Sequence, residues 1–206
     1  MERNELKYGA WTHYDSSWLS EEQCDKLFVW LCSHLDWEVR SIFALGKEVK
    51  QPRLMSWCGN IPYRYSGQTL EPRLIPEPLS ELQSQLSILC DTPFNHIVLN
   101  RYRDGRDHMS LHADNEPELG RNPVIAAVSL GATRTLRIVP KHKRGQRKLS
   151  QNIVLENGSL LIMGGRMQHT WRHSVPKNKD TNERINITFR YLKGKPGWRE
   201  QTDWFN

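Results

Sequence analysis

Long apolar stretches are missing from this sequence. The longest uninterrupted ones are 124–128 and 160–163. A membrane-crossing helix needs roughly 20 apolar residues, so no membrane partner is expected. The opening residues, MERNELKYGAW, lack the apolar centre of a secretory signal, so none is expected. Cysteine is scarce, with four residues at 24, 32, 58 and 90 and no CxxC spacing. Cys24 and Cys32 fall on one expected helix, about 12 Å apart, too far for a disulfide. A disulfide framework and a cysteine zinc site are therefore not expected. A reducing intracellular location fits, nuclear if the source is eukaryotic. Repeats, low-complexity linkers and compositional breaks are also missing. One domain over residues 1–206 is expected.

What is present points to a folded, basic protein. The 206 residues are 37% hydrophobic and include eight tryptophans, too many for a disordered chain. Lys and Arg number 29 against 23 Asp and Glu, a net charge of +6 that favours nucleic acid over membrane as partner. Ser20-Glu21-Glu22-Gln23 reads as a capping box ahead of Cys24, Leu27, Phe28, Leu31 and Leu35, predicting a helix over about 21–35. Pro76, Pro78 and the leucines at 79, 82, 86 and 89 predict a second helix over about 77–90. After Thr92 come short β-rich runs at 96–102, 124–130, 135–139, 153–155, 159–163 and 185–191. Glu156-Asn157-Gly158 reads as a hairpin turn between two of them. The pattern predicts a mainly β, α+β protein with two N-terminal helices packed on one sheet of an antiparallel barrel or sandwich.

His-x-Asp is half of the facial triad that holds non-haem Fe(II) and leaves positions open. It occurs at His13–Asp15, His34–Asp36 and His112–Asp114. His34 and Asp36 end the first helix, where residues two apart diverge. His13 and Asp15 sit in a lead-in without strand pattern. His112 and Asp114 follow a strand and a loop, where alternate residues can share a side, and they are the favoured pair. For a third ligand, His142 lies in the basic run 141–144, whose charge would repel a metal. His169 and His173 remain equal on spacing.

Arg184-Ile185-Asn186-Ile187-Thr188-Phe189-Arg190 is the strongest single pattern. Strand alternation puts Arg184, Asn186, Thr188 and Arg190 on one face and the apolar residues on the other. Two guanidiniums on an inner face suit a dicarboxylate. Asn100 and Tyr102 repeat the arrangement just ahead of His112.

HxD at 112–114, a histidine in HSVP at 173–176, NRY at 100–102 and RxNxTFR at 184–190 occur in the order and spacing of the AlkB-type nucleic-acid demethylases. Residues 10–192 resemble that family. The segments QPRLMSWCGNIPYRYSG, HADNEPELGRNPVIA and SLGATRT are similar to the animal AlkB homologues that repair alkylated DNA and RNA. The resemblance implies a double-stranded β-helix, or jelly roll. It divides the chain into a nucleotide-recognition region at about 10–95, a catalytic core at about 96–192 and a tail at 193–206. Fe(II) is the implied metal, with 2-oxoglutarate and O2 as cosubstrates. His112, Asp114 and His173 become the metal ligands, and Arg184 grips the far carboxylate of 2-oxoglutarate. Asn100, Tyr102, Asn186 and Arg190 complete that pocket.

The resemblance also implies a base pocket. Tyr63, Tyr65 and Ser66 lie in the segment that stacks on a flipped base, and Glu116 matches the residue that reads the exocyclic amino group. The implied reaction removes N-methyl groups from 1-methyladenine and 3-methylcytosine in DNA, with RNA also open. Leu45 stands near the position of an aromatic finger in duplex-preferring members, with Ile42 and Phe43 as neighbouring wedges. Single strands should therefore serve at least as well as duplex. Arg53, Arg103, Lys141, Lys143, Arg144, Arg147 and Lys148 are candidate phosphate contacts. A monomer is expected. The rival readings are an oxygenase of proteins or small molecules, and a nucleic-acid-binding jelly roll without catalysis.

Overall fold

The capping box forms in full. The Gln23 amide donates to Ser20 Oγ at 3.3 Å and the Ser20 amide to Gln23 Oε1 at 2.9 Å. Two donors that a helix start leaves open are thus satisfied. From this cap α1 runs Glu21–His34, and α2 runs Glu77–Leu89 behind Pro76. The computed structural model describes residues 3–44, 47–65, 68–141 and 149–194, and the side chains of 42–44, 65 and 68 also lie outside its description. Among the described residues no helix is long and apolar enough to cross a membrane.

The strands in chain order are β1 (Arg3–Leu6), β2 (Ala10–Asp15), β3 (Ser41–Ala44), β4 (Lys47–Lys50), β5 (Leu54–Gly59), β6 (Tyr63–Tyr65) and β7 (Gln68–Leu70). After α2 come β8 (His96–Tyr102), β9 (Met109–His112), β10 (Ile125–Gly131), β11 (Arg134–Pro140), β12 (Gln151–Leu155) and β13 (Leu160–Gly165). A short helix α3 (Met167–Thr170) precedes β14 (Trp171–Val175) and β15 (Arg184–Arg190). They build a seven-stranded sheet in the order β1-β2-β13-β10-β15-β8-β5 and a four-stranded sheet in the order β12-β11-β14-β9. The ladders of both sheets are antiparallel. Two hairpins, β3–β4 and β6–β7, stand apart.

Two apolar clusters show how the layers stack. Leu27 and Leu31 of α1 and Leu79, Leu82 and Leu86 of α2 pack on Val128, Leu160, Ile185, Ile187 and Phe189 of the large sheet. Its other face, with Ile125, Leu161 and Met163, meets Leu136, Ile138, Leu155 and Val175 of the small sheet. Period-2 alternation therefore sends Ile185, Ile187 and Phe189 toward the helices and leaves Arg184, Asn186, Thr188 and Arg190 between the sheets.

The structure corrects two local expectations. Glu156-Asn157-Gly158 does not close a hairpin. Leu155 pairs with Arg134 in the small sheet, whereas Leu160 pairs with Val128 and Asp15 in the large one. The turn carries the chain from one sheet to the other. Gly158 alone of the three has positive φ, at +77°, and a Cβ there would lie 2.7 Å from the Leu19 carbonyl oxygen. The lead-in holding His13 and Asp15 is strand β2, paired on both sides with β1 and β13. Ala10, Thr12 and Tyr14 give it no alternating apolar signal. Beyond Gly194 the expected tail lies outside the described residues.

Candidate active site

Three chain segments converge at the small sheet. His112 closes β9 and His173 lies in β14, and the two are direct cross-strand partners with rings 4.3 Å apart. Asp114 follows just past the strand end. One ligand atom from each of the three lies within 4.8 Å of the others, and among the described residues no other trio of His, Cys, Asp or Glu does this. Asp114 Oδ2 stands 3.7 Å from His173 Nε2. His112 Nδ1 lies 2.9 Å from the Ser110 carbonyl oxygen, so its N–H points there and Nε2 is left as a lone-pair donor. His169 is on α3 with its ring against the Arg121 carbonyl, and that separates it from His173. His34 stacks on Trp30 at the end of α1, 4.8 Å between centroids. His142 lies outside the described residues.

The protonation states suit a divalent cation. Burial alone would raise the Asp114 carboxyl, but Arg190, His112 and His173 around it hold it at about 2. Arg190 Nη2 donates to Asp114 Oδ1 at 2.7 Å. Burial, with His112 and Arg190 beside it, pushes His173 down to about 3, which keeps it a neutral imidazole. One carboxylate and two imidazoles form the donor set favoured by non-haem iron.

Beside this trio, β15 and β8 pair so that Arg184 faces Tyr102 and Asn186 faces Asn100. A cavity of about 50 Å³ is lined by Asn100, Tyr102, Asn186, Thr188 and Arg190 together with the metal-binding trio. Arg184 is 1% exposed, and its Nη2 donates to Ser129 Oγ and Asn186 Oδ1, both at 3.0 Å. Its Nε and Nη1 are buried with no hydrogen-bond acceptor among the described residues. Burial draws the guanidinium pKa down, with Tyr102 pulling it back up. A buried cation with two idle donors is the arrangement a carboxylate ligand would complete. Both the metal and the dicarboxylate therefore fit the residues present.

The base-pocket residues divide. Glu116 is half-buried two residues beyond Asp114, and burial raises its carboxyl pKa while Arg190 and Tyr63 draw it down. Tyr63 does not present an open ring for stacking. It is fully buried among Met55, Trp57, Leu70, Val98 and Leu119, edge-on to His96 at 5.0 Å, with the Arg190 guanidinium 5.8 Å from its centroid. The β6–β7 hairpin tucks it into that cluster. The Tyr65 side chain and Ser66 lie outside the described residues.

The profile of the 2OG-Fe(II) oxygenase superfamily matches residues 12–190. The chain belongs to that superfamily, in its AlkB branch. It is 36% identical over 182 residues to the human alpha-ketoglutarate-dependent dioxygenase alkB homolog 3, covering 85% of this chain and 64% of that protein. It is 31% identical over 206 residues to the mouse DNA oxidative demethylase ALKBH2, covering 91% of this chain and 86% of that one. The chain thus spans somewhat less than two thirds of the length of its alkB homolog 3 relatives. The solved structure of OsALKBH1 shares the fold at a TM-score of 0.63 and 17% identity, over 92% of this chain and 100% of that one. Membership brings Fe(II) as metal, with 2-oxoglutarate and O2 as cosubstrates.

In this AlkB-family chain several basic residues serve the site's architecture. Arg53 is 4% exposed and cannot track a phosphate; its Nε donates to Asn100 Oδ1 at 2.6 Å. Arg103 forms a bidentate pair with Asp107 at 2.7 and 2.9 Å. Lys141 Nζ donates to the Gln168 carbonyl at 2.7 Å. The burial of Arg53 corrects that expectation, whereas Arg103 stays exposed and Lys141 half-buried beside their partners. Lys143, Arg144, Arg147 and Lys148 lie outside the described residues, as do Leu45 and the side chains of Ile42 and Phe43. Sequence reasoning also missed Ser129 beneath Arg184. As the one polar residue within the run 124–130, it carried a legible signal.

Proposed function

We propose that this protein is an Fe(II)- and 2-oxoglutarate-dependent dioxygenase that removes N-methyl groups from alkylated bases of nucleic acid, on a double-stranded β-helix core. One observation carries the reading. A trio of two imidazoles and a carboxylate shares its cavity wall with the strand that bears a buried arginine with two open donors.

In this reading His112, Asp114 and His173 would hold the metal. Arg184 takes the distal carboxylate of 2-oxoglutarate through Nε and Nη1, with Asn100, Tyr102 and Asn186 enclosing it. Arg190 keeps the Asp114 carboxylate oriented and ionised. Fe(II), when bound, supplies the activation of O2. Overall, the N-methyl group, O2 and 2-oxoglutarate become N–H, formaldehyde, succinate and CO2. Glu116 faces the incoming base. Its carboxyl, raised by burial, would ionise more readily against a cationic ring such as 1-methyladenine or 3-methylcytosine, and this favours those lesions. A base inside a duplex cannot reach the metal, so the substrate strand is single or the base is flipped. The net charge of +6 suits a polyanionic partner.

Mass spectrometry of 1-methyladenine and 3-methylcytosine oligonucleotides, in DNA and RNA, with Fe(II), 2-oxoglutarate and ascorbate, tests the reading. Loss of one methyl mass is the expected result. Unchanged oligonucleotides, alongside 2-oxoglutarate turnover on a methylated peptide, would move the substrate to another class.

A further inference from the structure

We propose that Gln168 is a positioning residue that fixes the main chain of Asp114 and thereby the direction of the carboxylate offered to the metal. β9 ends at His112, so no ladder partner reaches the peptide of Asp114. Its amide instead donates to Gln168 Oε1 at 3.0 Å, a contact between residues 54 apart in sequence. Both residues are buried, at 0% exposed for Gln168 and 2% for Asp114. Without that oxygen the amide would be an orphaned buried donor, and the turn after β9 would have to move to satisfy it.

Gln168 can act as a fixed mount because α3 is itself tied down. The Arg166 amide donates to the Gly9 carbonyl at 2.8 Å, and Thr170 Oγ1 donates to the Arg166 carbonyl at 2.8 Å. Lys141 clamps the helix twice, its amide on the Thr170 carbonyl at 2.8 Å and its ammonium on the Gln168 carbonyl at 2.7 Å. β14, which carries His173, starts directly after α3. The short helix therefore sets two of the three metal-binding side chains, one through the strand it leads into and one through Gln168. Asp114 is held at both ends, its peptide by Gln168 and its carboxylate by Arg190.

The inference rests on the metal reading of the trio, and the test separates the two. The full chain is titrated with Co(II) and followed by ligand-field absorption, for the unaltered protein, Gln168→Met and Gln168→Glu. Gln168→Met keeps the volume and removes the acceptor. It should weaken Co(II) binding by about tenfold or more, the size seen when a group supporting a ligand is lost. Its absorption bands should shift as well. Gln168→Glu keeps an acceptor oxygen at the same reach and should restore most of the affinity. Equal affinity and spectrum for Gln168→Met would overturn the proposal, whereas an unaltered chain that binds no Co(II) would overturn the metal reading itself. Should Gln168→Met fail to fold by circular dichroism, hydrogen exchange of the unaltered chain decides. The Asp114 amide is expected among the slow ones, and rapid exchange there would overturn the proposal.

Discussion

Arg190 Nη2 lies 2.7 Å from Asp114 Oδ1, and the two side chains are only 4% and 3% exposed. The guanidinium thus compensates a carboxylate that also faces the metal position. Breaking a buried pair by removing one partner costs about 3–5 kcal/mol, because the remaining charge is uncompensated. Arg190→Met should therefore destabilise the metal-free protein by that order in urea unfolding. Adding Co(II) should recover part of the loss, since a cation again faces Asp114. A metal-free midpoint equal to that of the unaltered chain would contradict this account of the pair.

In the proposed site Arg184 would offer a cosubstrate two charge-assisted hydrogen bonds, each worth about 1.5–3 kcal/mol. Arg184→Ala should raise the 2-oxoglutarate requirement by at least about tenfold, since 1.4 kcal/mol is tenfold. A titration of 2-oxoglutarate against succinate formation checks this. An unchanged half-saturation point would remove Arg184 from the site.

His96 carries a pH signature. It is 1% exposed behind Tyr63, and burial, helped by Arg190, pushes its pKa from the ordinary 6.5 down to about 3. Between those values the unfolded chain binds a proton that the folded chain does not, so stability falls as pH drops below about 6.5. Each such group contributes a slope of up to about 1.4 kcal/mol per pH unit. Buried His173 adds in the same direction. His96→Gln should flatten the decline in urea midpoint between about pH 7 and pH 5 without abolishing it. An identical slope in the variant would show that His96 protonates freely in the fold.

A strand preference is expected from the sequence at Leu45. A leucine there has no π-face to replace an extruded base. Opening a pair costs a few kcal/mol, least for an already single-stranded base. The same 3-methylcytosine oligonucleotide should therefore give kcat/KM at least as high alone as annealed. A duplex preference of about tenfold or more would contradict the weak-wedge account. Its loss in Phe43→Ala would place the wedge at Phe43.

Much of this architecture was legible because local signals agreed with tertiary ones. The Ser20–Gln23 box, the leucine spacing of α2 and the alternation of 184–190 each name an element and its buried face. The pairing of Arg184 with Tyr102 and Asn186 with Asn100 then unites two motifs read separately. Strands β2, β9 and β14 were not legible, since their exposed or polar alternate positions resemble loop. The hairpin reading at Asn157-Gly158 failed because a turn signal does not say which sheet the next strand joins. Spacing could not separate His169 from His173, because only the β9–β14 pairing brings His112 opposite one of them. Tyr63 was misplaced because an aromatic in a short hairpin reads the same whether it faces a cleft or a core. Gln168 gave no signal at all; its importance lies in a contact 54 residues away.

The most direct test is the coupling of cosubstrate turnover to repair. With 3-methylcytosine oligonucleotide, Fe(II) and 2-oxoglutarate, succinate is measured against demethylated base for the unaltered chain, Asp114→Ala and Asp36→Ala. The account predicts matched succinate and repair for the unaltered chain and for Asp36→Ala, and neither product for Asp114→Ala. Repair that survives in Asp114→Ala, or succinate formed without any repair by the unaltered chain, would contradict it.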